Sequence, residues 1–132
     1  ALSEAARAMP VKAKDVKVYF EVNDAPYAAG QTSFIGETMT RLGINNMIPA
    51  SLGAFPKINP EFVVHANPSL IMISRQEIKG MRERPGWTAI RAVRENRICI
   101  FTPEENDVLV RAGPRIAQAA AIMLKCIKDK AP

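Results

Sequence analysis

The chain has 132 residues, 48% of them apolar and 23% charged, with a formal net charge of +5. That suffices for one domain with one core but not for two, and no apolar run approaches the ~20 residues of a membrane-spanning helix. The basic residues (Lys12, Lys14, Lys17; Arg82, Arg84; Arg91, Arg94, Arg97; Lys125, Lys128, Lys130) are dispersed among acidic ones, a mixed solvated surface rather than a nucleic-acid footprint.

"ALSEAARAMP" reads as the end of a helix stopped by Pro10. It has no basic n-region followed by an apolar h-region, so no signal peptide is expected in it. "VKVYFEV" alternates, with Val16, Val18, Phe20 and Val22 pointing one way and Lys17, Tyr19 and Glu21 the other, which predicts a strand. "NDAPYAAGQTS" is a loop of turn formers. A helix is expected from about Ser33 to Leu42, with Ile35, Met39 and Leu42 on one face and Gly43 ending it. A loop through Pro49, Gly53 and Phe55 then reaches Asn59-Pro60-Glu61, a helix start. Asn59 can cap, Pro60 suits the first turn, and Glu61 faces the positive end of the dipole. This short helix should stop near Ala66, before Asn67-Pro68.

"LIMI" (Leu70–Ile73) is a continuous apolar strand, the mark of a strand covered on both faces. Residues 76–83 predict a weak helix and "RPGW" a turn. Thr88 can cap a second helix to about Glu95, with Trp87, Ile90 and Val93 inward. "RICIF" is the next strand. A loop is expected from Thr102 to Ala112, then a final helix opened by Gly113-Pro114 with Ile116, Ala120, Met123 and Ile127 as its apolar stripe. Strands alternating with helices imply right-handed crossovers, hence an α/β fold: a mainly parallel sheet with helices on both faces, a Rossmann-like three-layer arrangement. Ligands of such sheets gather beyond the carboxyl ends of the strands, where Tyr27 lies after the first strand and Glu104, Glu105, Asp107 and Arg111 lie after "RICIF".

Neither nucleotide-phosphate fingerprint nor a G-x-S-x-G elbow is present. His65, the only histidine, stands four residues after Glu61, where a Glu–His contact is expected. No Ser or Cys nucleophile stands in a recognisable arrangement with it, which argues against an enzyme. The acidic run Glu104–Asp107 lacks calcium-loop spacing, and Cys99 and Cys126 form no C-x-x-C, so no metal site is expected. Buried free thiols are the default for these two cysteines, and a bridge between them requires an oxidising compartment. Tyr27 and Phe55 lie off any helical or strand stripe. Each can be a loop anchor or part of a flat apolar binding surface.

Four stretches in order, "PYAAGQTSFIGETMTRLGINNMI", "FPKINPEFVVHANPSLIMI", "RPGWTAIRAVRENRICIF" and "RAGPRIAQAA", cover nearly the whole chain. Together they resemble the C-terminal lobe of the substrate-binding proteins of ABC importers for iron-siderophore, heme and cobalamin, whose two lobes are joined by one long helix. The resemblance implies that residues 1–10 are the end of the inter-lobe helix, that 11–132 are the ligand-binding lobe, and that an N-terminal lobe is missing from this chain. It implies a binding protein without a covalent cofactor, in the periplasm or anchored at the cell surface, that captures a metal chelate and docks on a membrane permease. The alternative is a small stand-alone α/β enzyme or nucleotide-binding module. By the same resemblance Tyr27, Phe55, Asp107 and Arg111 face the ligand, and Glu61 meets permease arginines, a role compatible with capping. Val108, Leu109 and Val110 stand where an aromatic would suit a corrin better. The open face of an isolated lobe is expected to self-associate weakly.

Overall fold

The computed structural model describes residues 16–23, 26–74, 78–111 and 116–130. The helix end expected at residues 1–10 lies outside them. Strands β1 (Lys17–Asn23), β4 (Leu70–Ser74) and β5 (Ile98–Phe101) form the parallel centre of the sheet, with β1 pairing β4 and β4 pairing β5. Two short strands share the other edge of β1. β2 (Tyr27–Ala28) lies antiparallel to its carboxyl end and β3 (Asn45–Asn46) parallel to its start. Neither is legible as a strand, because two residues carry no alternation.

Alternation along β1 sends side chains into two separate cores. Val18 and Phe20 join Leu70 and Met72 beneath α1 (Phe34–Arg41), α5 (Pro103–Val110) and α6 (Ile116–Lys130). Tyr19 joins Ile71, Ile73 and Ile98 on the opposite face. That face is covered by Val63 of α2 (Pro60–Ala66), Met81 of α3 (Ile78–Arg82), Trp87 in a single 3₁₀ turn (Trp87–Ala89), and Ala92 and Val93 of α4 (Arg91–Arg94). Every residue of β4 is buried, as expected of a strand covered on both faces.

The helix boundaries follow their caps. Ser33 Oγ accepts from Gly36 N–H and donates to the Gly30 carbonyl. At the other end Ile44 N–H reaches the Met39 carbonyl and Gly43 N–H the Thr40 carbonyl, with Gly43 at φ 76°, the left-handed turn that glycine adopts without a Cβ penalty.

Three expectations need correction. Residues 103–110 form a helix, not a loop. Thr102 Oγ accepts from Glu105 N–H while the Glu105 carboxylate accepts from Thr102 N–H, with Pro103 in the first turn. This T-x-x-E box outweighs the acidic, loop-like composition. Thr88 caps nothing. It falls inside the 3₁₀ turn, and α4 starts after Ile90 with no side-chain cap. Cys99 and Cys126 are bridged, fastening β5 to α6, with Cα atoms 6.0 Å apart. The expected default of free thiols fails because the sheet edge and the last helix bring the two Cβ atoms together.

Candidate functional site

The carboxyl edge of the sheet is built around the end of β1. After Asn23 the chain turns back as β2, with Glu21 paired to Ala28, Asn23 paired to Tyr27, and a register slip between Glu21 and Asn23. Slips of this kind re-aim the side chains beside them. Residues 54–58 then lie along 26–30. Ala28 N–H donates to the Pro56 carbonyl at 3.0 Å, Gly30 N–H to the Ala54 carbonyl at 2.7 Å, and Ile58 N–H to the Pro26 carbonyl at 2.9 Å. Tyr27 bridges to Lys57 on this antiparallel ribbon, and Phe55 falls one pleat along. Both rings stay exposed, Tyr27 at 37% and Phe55 at 51%. Tyr27 and Phe55, far apart in sequence, therefore sit on one hydrogen-bonded ribbon rather than in two separate loops.

The ribbon is seated against α1 by close backbone approach. A Cβ on Gly30 would overlap the Gly53 carbonyl oxygen, and a Cβ on Gly36 would overlap the Gly30 carbonyl oxygen. Gln31 Nε2 donates to the Ile48 carbonyl and Asn46 Nδ2 to the Ala29 carbonyl, tying the flanks. Phe34 and Leu52, which no sequence pattern singles out, are exposed at 57% and 48%, one in the first turn of α1 and one just before Gly53. Phe34 lies off the stripe of its helix, which buries Ile35 and Met39, and that is the signal available for it; Leu52 sits in a short turn with no buried residue, where the sequence offers none.

Asp107 and Arg111 are exposed on α5 and at its carboxyl end, one turn apart, where the Arg111 N–H donates to the Asp107 carbonyl. No hydrogen bond joins either side chain to the Tyr27–Phe55 ribbon among the described residues. Glu61 stands at the start of α2. Asn59 Oδ1 accepts from its N–H at 2.9 Å, and its carboxylate is exposed and has no hydrogen-bond or ion-pair partner among the described residues. The expected Glu61–His65 contact is absent as a hydrogen bond or ion pair, and both side chains face solvent.

In the core that also holds Ala28 and Ile58 of the ribbon lies a cluster that no sequence motif announces. The Arg84 guanidinium forks the Glu21 carboxylate, Nη1 to Oε1 at 2.7 Å and Nη2 to Oε2 at 3.0 Å. Tyr19 O–H donates to the same Oε1 at 2.7 Å. Arg84 lies 4.5 Å over the Trp87 ring, which meets Tyr19 edge-on at 6.0 Å. Burial, followed by the Glu21 charge, holds the Tyr19 phenol far above the ordinary tyrosine range.

A separate cleft of about 220 Å³ runs between β5 and α6 and is lined by Ile98–Phe101, the disulfide, Glu105, Ile122, Lys125, Asp129 and Lys130. None of the expected ligand residues lines it. Among the described residues no cluster of His, Cys, Asp and Glu could hold a metal ion, and no helix is long and apolar enough to cross a membrane.

A family profile described as periplasmic binding protein matches residues 1–105. An uncharacterised ABC transporter substrate-binding lipoprotein of Bacillus subtilis, YvrC, is 26% identical over 119 residues, 88% of this chain and 37% of the relative. A possible iron-binding, periplasmic solute-binding protein from Staphylococcus epidermidis has the same fold, with a TM-score of 0.82 at 22% identity over 96% of this chain and 50% of that one. The periplasmic vitamin B12 binding protein BtuF of Vibrio cholerae gives a TM-score of 0.74 at 18% identity over 98% of this chain and 48% of that one. This chain thus spans about half the length of these two structures and 37% of the curated relative.

Proposed function

The chain belongs to the periplasmic binding protein family, and from that premise we propose that it is the C-terminal lobe of an ABC importer's substrate-binding protein. The cargo is a metal chelate: a ferric siderophore, heme or cobalamin. The observation that carries this reading is the ribbon that holds Tyr27 and Phe55 exposed at the carboxyl edge of the sheet. Flat apolar groups on a rigid frame, with few polar ones, suit a chelate whose surface is largely organic. Asp107 and Arg111 supply the polar contacts, and Arg111 suits an anionic chelate.

The chain's span of about half the solved relatives supports a second lobe that supplies the other wall of the pocket. Residues 1–10 are then the end of the helix joining the lobes. Glu61 is the permease-docking residue. Its backbone N–H is held by Asn59 at the helix start while its carboxylate is exposed and unpartnered among the described residues, the state in which it can take a bidentate arginine. The working compartment is outside the cytoplasm, in the periplasm or at the cell surface through a lipid anchor. The Cys99–Cys126 bridge supports this, because such bonds persist in oxidising compartments.

The test is titration of the full-length protein and of this chain with a ferric siderophore, heme and cobalamin. The full-length protein should bind one of them with high affinity. This chain should bind it more weakly by several kcal/mol, because the apolar area that the second lobe covers is worth ~25 cal/mol per Å². Equal affinity of the two would overturn the two-lobe reading.

A further inference from the structure

The four residues Glu21, Arg84, Trp87 and Tyr19 form a closed ring of contacts, and Tyr19 and Trp87 share one core with Ala28 and Ile58 of the ribbon. The Glu21 side chain is 0% exposed and that of Arg84 15%. A buried carboxylate costs several kcal/mol to desolvate, and a pair of this kind adds little net stability over apolar residues of the same volume. What it supplies is geometry, since a two-pronged fork fixes both partners in distance and angle. Glu21 is also the β1 residue paired with Ala28, at the base of the ribbon and next to the register slip. Arg84 comes from the turn before Trp87, on the sheet face that carries Tyr19, Ala28 and Ile58. Its place is set by the Trp87 ring beneath it, which is itself fully buried.

We propose that Arg84 and Glu21 are positioning residues: the fork clamps the bulged end of β1 and thereby aims the Tyr27–Phe55 ribbon at the ligand. The link to ligand rests on the function proposed above. The link to the ribbon rests on geometry alone.

The experiment uses the full-length protein with two changes, Glu21→Leu/Arg84→Met together and Arg84→Lys alone. The first removes both charges at similar volume. The second keeps the charge and loses the fork. Amide hydrogen exchange is followed at Ala28, Gly30 and Ile58, whose N–H groups close the ribbon, and at Ile71, whose N–H donates to the Arg97 carbonyl in the sheet centre. The ribbon amides should exchange at least about tenfold faster while Ile71 is unchanged. Affinity for the best of heme, cobalamin and a ferric tris-catecholate should fall about tenfold. That loss should not add to the loss caused by Tyr27→Ala/Phe55→Ala, because both act through the two rings the ribbon carries.

Unchanged ribbon exchange in the variants overturns the clamp, and so does acceleration at Ile71 to the same degree, which would make the pair a general stabiliser. Additive losses with Tyr27→Ala/Phe55→Ala overturn the aiming role. If the unmodified protein binds none of the three chelates, the chelate reading falls, and the exchange rates alone decide the clamp.

Discussion

Removing the Cys99–Cys126 bridge should lower the stability of the 132-residue chain by a predictable amount. The bond closes a loop of sequence separation 27. In the chain-entropy treatment, a loop of that length removes about 3.5 kcal/mol of freedom from the unfolded state. Unfolding entropy of about 2.1 cal/mol/K per residue gives about 0.28 kcal/mol/K for this chain, so the melting temperature should fall by about 12 °C. Cys99 is partly exposed and Cys126 buried, so Cys99→Ala/Cys126→Ala opens little cavity and mainly reports the missing cross-link. Calorimetry of the oxidised chain, the reduced chain and the double variant measures the shift, with thiols counted on the native and unfolded protein. The reduced and double-variant forms should melt within a few degrees of each other. Two reactive thiols in the unreduced chain after unfolding, or a fall of less than about 3 °C on reduction, would refute the reasoning.

Glu61→Arg in the full-length protein should leave fold and chelate affinity nearly unchanged, since a charge at a helix start is worth about 0.3–1 kcal/mol. Permease binding and coupled ATPase activity should drop by the equivalent of about 2–5 kcal/mol, and the exposed control Glu83→Arg should retain both; equal transport by the two variants would reduce Glu61 to a helix-start residue. Gly36→Ala forces a Cβ into the Gly30 carbonyl and should cost about 1–3 kcal/mol by urea titration, whereas an unchanged midpoint would mean that α1 and the ribbon do not pack this closely. The Tyr19 phenol holds its proton in the fold far above its ordinary value, because of burial and then Glu21; the folded state therefore binds the proton more tightly, and stability should be full below pH ~10 and decline above it. Alkaline melts of Tyr19→Phe should lose part of that decline. Sedimentation at rising concentration should show weak self-association of this chain through the exposed Tyr27 and Phe55 face, relieved by Tyr27→Ser/Phe55→Ser, and a strictly monomeric chain would contradict it.

Much of the frame is legible in the residues because burial imposes a period. The apolar run of β4, the alternation of β1 and the stripe Ile116, Ala120, Met123, Ile127 of α6 each report which side is covered. The helix α5 is legible too, through Thr102-Pro103-Glu104-Glu105, but an acidic composition without a strong stripe hides it behind loop chemistry. The candidate site is harder. Tyr27 and Phe55 stand out as unplaced aromatics, yet the ladder that joins them depends on backbone groups, which all sequences share. Glu21 lies 63 residues from Arg84, and only the sheet's parallel crossover makes them neighbours. The same holds for Cys99 and Cys126, whose spacing alone does not distinguish a bridge from two buried thiols.

The division of the interior into two cores has a consequence for how the chain can change. Met39 and Met123 pack on one side of the sheet, Trp87 and Ile90 on the other, and the two groups belong to separate clusters. A rearrangement in one layer reaches the other only through strand backbones, which are held by their ladders. Substitutions drawn from opposite layers should therefore combine additively, within about 0.3–0.5 kcal/mol, whereas pairs within a layer couple more strongly. Each layer is a separate packing problem. The chain can be redesigned, or can drift, one side at a time without the other side having to follow.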